Sequence, residues 1–288
     1  MPRRLAIALL AACAVFGAGC GSGASGEQTD LIVTRDFGAS MVAEGRVVPL
    51  TAGLTAMRQL QASNKVENSF GGRYVQSIDG VAEDADSAWL FYVDGIESTT
   101  GASSVRLKPG QAVQWDFHPW QTVKGGGAIV GAYPLPMRRM KARMVCVPEG
   151  SKACEVAGAR MTGAGVPIAP NGGVRVVVGA WSEIKDLDAV PDLTGPADSN
   201  GAYARFLSGG GQLAPALADG STGRALAGGT GLIAAYARDG DPLWIVTGTD
   251  DAGVELAEKS LDRQLLKNRF ALLIDQGGPR PLPEGARP

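Results

Sequence analysis

Apolar and polar positions alternate with a period of two through much of the first part of the chain, the signature of strands with one buried face. "LIVTRDF" (31–37) and "GRVVPL" (45–50) read as strands, and "GRYVQSIDGVA" (72–82) as a third. Between them, in "TAGLTAMRQLQAS" (51–63), Leu54, Met57 and Leu60 recur at helical spacing, with Thr51 as a candidate N-cap. After a turn at Lys108–Gln111, Val113, Trp115 and Phe117 fall on one face of a strand and Ala112, Gln114 and Asp116 on the other. One stretch breaks the alternation. "WLFYVDG" (89–95) puts Trp89, Phe91 and Val93 on one face and Leu90 and Tyr92 on the other, so both faces are apolar. Either protein covers both, supplied by Trp120 and the following connector or by a second domain, or one face waits for a ligand. Strand, strand, helix and then several strands predict a β-grasp-like domain, one helix on a curled mixed sheet, over residues 31–120.

Residues 121–137 read as a connector. Its second half, "AIVGAYPLPM", is rich in Pro and Gly and should be ordered by packing rather than by pairing. Beyond it, "KARMVCV", "GGVRVVVGAW", "GLIAAYA", "PLWIVTGT" and "RFALLID" read as strands, and "SKACEVAGARMTGAGV" as a helix. "DDAGVELAEKSLDRQLLKN" reads as one long helix. Val254, Ala257, Leu261 and Leu265 make its apolar stripe, Glu255 and Lys259 an i,i+4 pair, and Thr249 or Asp250 its cap. The glycine-rich stretch 208–231 reads as loop. The two ends of this region repeat strand, loop, helix, strand. They predict a two-layer α+β domain over 138–288 built from two βαβ-like halves, and an α+β protein as a whole.

The N-terminus sets the compartment. "MPRR" is followed by an uncharged apolar run, small residues and Cys20. This reads as a secretory signal peptide over residues 1–19. Cys20 directly after small residues resembles a bacterial lipobox, although Gly17 stands where Leu is usual. Cys20 is then the lipid-attachment residue, and 20–30 a flexible tether. The expected location is the outer face of the cell membrane, lipid-anchored; the alternative is plain secretion. Cys146 and Cys154 remain as an even pair in an oxidising compartment and predict a disulfide. Two Cys and one distant His do not make a zinc set. The formal net charge of −2 gives no electrostatic case for nucleic acid.

The motifs "VVPLTAGLTAMRQL", "YVQSIDGVAEDADSAWLFYVDG" and "VRLKPGQAVQWDF" together resemble a domain of unknown function from bacterial secreted proteins. That family is similar to the C-terminal β-domain of transcobalamin and intrinsic factor. The resemblance covers about a third of the chain and departs at Asp94, where Asn is common before Gly95. Asp-Gly still suits a tight hairpin turn. The resemblance implies a cobalamin-like or other vitamin-like ligand, with Trp89, Tyr92 and Trp115 at matching positions as ligand contacts or as core. In the vertebrate carriers this domain closes over cobalamin with a large helical domain, which this chain does not have.

Candidate chemistry is sparse. His118 is the only histidine, no Ser sits in a G-x-S-x-G elbow, and Glu83, Asp84 and Asp86 fall in a polar loop that solvation explains. Asp250 and Asp251 in "GTDDAG" suit a helix N-terminus and would repel an anion there. The sequence therefore predicts a non-catalytic lipoprotein that binds a small molecule, with a membrane transporter as the candidate recipient. The alternative is an envelope protein–protein interaction module with no small ligand.

Overall fold

The computed structural model describes residues 27–238 and 241–285. The expected signal peptide, Cys20 and most of the expected tether lie outside the described residues.

The first half holds β1 (Gln28–Arg35), β2 (Ser40–Pro49), α1 (Ala56–Gln61), β3 (Val66–Ser69), β4 (Tyr74–Ile78), β5 (Val81–Ala82), β6 (Ala88–Val93), β7 (Ile96–Glu97) and β8 (Ala112–His118). Five of these strands form one sheet in the order β2-β1-β8-β6-β7. β1 and β8 run parallel and the other pairs antiparallel. β3, β4 and β5 make a separate small sheet. Two local readings are corrected. Strand begins at Gln28, inside the expected tether, because Thr29 is buried, donating to the Val48 carbonyl and accepting from the Gln59 amide. The helix cap is Thr55 rather than Thr51: Thr55 is extended and its hydroxyl accepts from the Arg58 N–H. Residues 51–54 are instead a turn closed by Leu54 N–H to the Thr51 carbonyl. Asp94 and Gly95 both have positive φ, as the expected hairpin turn between β6 and β7 requires.

The second half holds α2 (Leu135–Met140), β9 (Ala142–Cys146), α3 (Lys152–Gly163), β10 (Val174–Ala180), α4 (Trp181–Ile184), β11 (Ala204–Leu207), β12 (Gln212–Pro215) and β13 (Leu226–Ala227). It continues with β14 (Gly231–Arg238), β15 (Asp241–Gly248), α5 (Asp251–Lys259), α6 (Arg263–Leu266), β16 (Ala271–Asp275) and β17 (Gly278–Leu282). Six strands form a mixed sheet in the order β17-β16-β14-β15-β10-β9. β9, β10 and β15 are parallel, and β14 is antiparallel to both its neighbours. The first βαβ-like half, β9-α3-β10, joins adjacent strands. The second, β15-α5-α6-β16, joins parallel strands that have β14 between them. The expected single helix over 250–268 breaks after Lys259. Asp250 caps α5 and Asp262 caps α6, each accepting backbone N–H groups with its carboxylate. The stretch read as loop, 208–231, contains β12 and β13, which with β11 form a small sheet of their own. The connector also pairs: Ile96 bridges Ala128, Gly125 bridges Gly201 and Gly127 bridges Tyr236.

Three apolar cores follow. One lies inside the first half, where Leu31, Val33, Met57, Leu60, Trp89, Phe91, Val113 and Trp115 pack. A second fills the space between the six-stranded sheet and its helices, with Met161, Val176, Val178, Trp244, Val246 and Val254. The third covers the sheet's other face and crosses the domain boundary. There Phe37, Tyr92, Val123 and Ile129 from the first part pack with Val177, Trp181, Tyr203, Phe206, Ile245 and Phe270. Residues of the second half therefore cover the far face of the aromatic strand β6.

Candidate functional site

The aromatic residues singled out in the sequence do not converge. Trp89 and Trp115 are buried on the α1 side of the first sheet; Trp115 stacks on Phe91 at 4.6 Å, and Trp89 lies 5.3 Å from Phe117. Their edges reach a recess of about 210 Å³ beside Arg73, Tyr74 and Thr100. Tyr92 lies on the opposite face, because an offset of three residues along a strand reverses the side. It meets Phe270 of the second domain edge-on at 5.4 Å, and burial raises its hydroxyl pKa well above the ordinary value. Cys146 and Cys154 form the expected disulfide, with Cα atoms 5.8 Å apart, tying the end of β9 to the first turn of α3.

The polar face of β8 carries a network that sequence reasoning missed. Asp116 is fully buried. Its carboxylate accepts from the Thr34 hydroxyl (2.6 Å), the Gly38 N–H (2.8 Å) and the Phe37 N–H (3.1 Å), and it meets His118 Nδ1 at 2.7 Å. A buried carboxylate is tolerable when its acceptor sites are filled in this way. The His118 ring packs against Phe37 at 4.5 Å and Phe270 at 5.1 Å. The Thr34 hydroxyl contacts Asp116, and the ring is sealed by aromatics. The arrangement fixes the β1–β2 turn to β8, with Phe37 and His118 packed on Phe270, rather than offering reacting groups to solvent. Gly38 is required there: a Cβ would stand 1.9 Å from the Asn268 carbonyl oxygen. A further tie crosses the junction nearby, where Asp94 pairs with Arg139 of α2 at 3.0 Å.

Beside this junction lies a cleft of about 750 Å³. Gly125–Gly127 of the connector, Gly172 and Gly173 before β10, Asp188, Tyr236 and Asp241 border it, and Arg143 and Arg175 line its sheet side. Arg143 and Arg175 are register partners on the parallel strands β9 and β10. Their neighbours Ala142, Val174 and Val176 pack toward the helices, with Met144 against the same core, so the two arginines share the opposite face. Both are half-buried. Arg143 Nε is buried without a hydrogen-bond partner. Among the described residues neither arginine makes an ion pair or a side-chain hydrogen bond. Chemically the cleft can accept a small organic molecule and offers two adjacent guanidinium groups to it. The signal for it in the sequence was slight: one arginine in each of two otherwise apolar strands, "ARMVC" and "VRVVVGA".

With this geometry in place, the family model of a domain of unknown function, DUF4430, matches residues 53–119. The matched segment runs from the turn before α1 to just past β8. No curated protein matches the chain. A crystal structure of a proposed metal-binding protein from Ruminococcus gnavus is similar over 32% of this chain and 97% of its own, at 13% identity and a TM-score of 0.26. Among the described residues no three His, Cys, Asp or Glu side chains gather as a metal set would need.

Proposed function

We propose that this chain is a non-catalytic lipoprotein, anchored through Cys20 on the extracytoplasmic face of the membrane, that binds a small molecule in the cleft beside the domain junction. The apolar run and small residues before Cys20 support the anchor, and the disulfide accords with an oxidising compartment. The observation that carries the binding reading is the 750 Å³ cleft with two half-buried arginines facing it, a size suited to a small organic ligand. Trp89, Tyr92 and Trp115 then serve the fold, since their rings are taken up by packing on two different faces. The resemblance of the first domain to the carrier β-domain makes cobalamin-like and other vitamin-like molecules the first ligands to try, with a membrane transporter as recipient.

Titration calorimetry of the mature chain against cobalamin, related corrinoids and small organic anions tests the reading, with thermal unfolding alongside. A ligand that binds only the native state must raise the melting temperature. Saturable heat with such a rise is the expected result; blank titrations and unmoved melting across the set overturn it. A second reading, the envelope interaction module, is supported by the outer edge of β2, an end strand of its sheet with Met41 and Val47 exposed. Blank titrations together with co-purification of one envelope protein with the anchored chain would favour that second reading.

A further inference from the structure

We infer that the cleft is an oxyanion site, in which Arg143 and Arg175 together hold the carboxylate or phosphate group of a small organic anion. The inference rests on the small-molecule reading above and specifies the ligand's chemistry.

Three observations carry it. The parallel register of β9 and β10 sets the two guanidinium-bearing chains side by side on one face. Like charges on neighbouring strands repel, and among the described residues no carboxylate forms an ion pair with either of these two. Asp188 and Asp241 border the same cleft, yet neither forms an ion pair with an arginine there. Second, Arg143 Nε is a buried donor with no acceptor, a group that folded proteins ordinarily satisfy. An oxygen of a bound anion would satisfy it and relieve the repulsion together. Third, glycine borders the cleft where the chain packs too closely for a side chain. Gly126 and Gly172 cannot carry side chains, because a Cβ would stand 2.5 Å from the Tyr236 ring and 2.4 Å from the Ala142 carbonyl carbon. Planar guanidinium forks match carboxylate and phosphate alike, so the two sources share one recognition chemistry. The cleft is larger than an inorganic ion needs, which points to an organic molecule carrying the anionic group.

The test uses the mature chain at fixed ionic strength, since exposed charges respond to salt. The probes are citrate for carboxylate, glucose 6-phosphate for phosphate, inorganic phosphate for a bare ion, and glucose as the neutral control. The expected result is saturable binding of citrate or glucose 6-phosphate and none of glucose. Arg143→Gln and Arg175→Gln should each weaken binding by roughly tenfold or more, as loss of a charge-assisted contact predicts. Arg138→Gln, distant in α2, should leave it unchanged. The double variant Arg143→Gln with Arg175→Gln should also melt higher than the unmodified chain when no anion is present, because the repulsion is gone. This readout needs no ligand. Binding of every anion with equal affinity to the unmodified chain and the double variant overturns the proposal, as does failure of all three anions to bind. If a neutral corrinoid binds and its binding survives the double substitution, the oxyanion inference falls while the small-molecule reading stands.

Discussion

At the scale of single residues, the two most buried acids behave in opposite ways. Asp116 has its carboxylate surrounded by donors, so its burial is compensated. Glu258, at 2% exposure on α5, has one carboxylate oxygen with no hydrogen-bond partner. Burial, helped by the nearby Glu255, pushes its pKa from 4.5 up to about 7, against the pull of Lys259 and Arg160. In the unfolded chain the same carboxyl loses its proton near its ordinary value. The folded state therefore holds a proton that the unfolded state gives up, and stability falls as pH rises through this window. The contribution is fully present below pH 4.5 and is lost by the time pH has passed about 7. Replacing Glu258 by Gln removes that loss. The variant should melt higher than the unmodified chain at about pH 8 and the gap should close toward pH 4.5, as thermal melts across the range will show. A constant gap at every pH would contradict the assignment.

At the scale of elements, β6 explains why its sequence is apolar on both faces. Trp89 and Phe91 pack under α1, while Leu90 and Tyr92 pack into the shared core with Phe270. Phe270 touches Phe37, Tyr92, His118 and Tyr203 within 6.0 Å between ring centres. Truncating it to Ala should cost about 3–5 kcal/mol, the range for a fully buried aromatic, measurable as a lowered denaturant midpoint. Much at this scale was legible. Period-two patterning gave the faces of β8 and β6 correctly. What was not legible depends on choices that local pattern does not contain. Thr51 and Thr55 are equally good caps by composition, and only the turn at 51–54 selects Thr55. The apolar stripe from Val254 to Leu265 hid the break at Ser260–Asp262, where Asp262 starts a new helix with its own cap. The cleft was hidden for a different reason: Arg143 and Arg175 are far apart in sequence and meet only through the register of two parallel strands.

At the scale of the whole molecule, the two domains read from the sequence share a hydrophobic core. Phe37 and Tyr92 enter it from one side, Tyr203 and Phe270 from the other, and His118, held by Asp116, packs on Phe270 across the same boundary. The connector adds bridges to both sides, and Asp94–Arg139 adds an ion pair. This shared core is what closes the far face of the aromatic strand. A junction of this kind couples the halves, because opening it exposes aromatic surface on both. Differential scanning calorimetry of the mature chain measures that coupling directly. A single transition, with calorimetric and van't Hoff enthalpies in agreement, is the result the shared core predicts. Two separated transitions, one for each half, would contradict it.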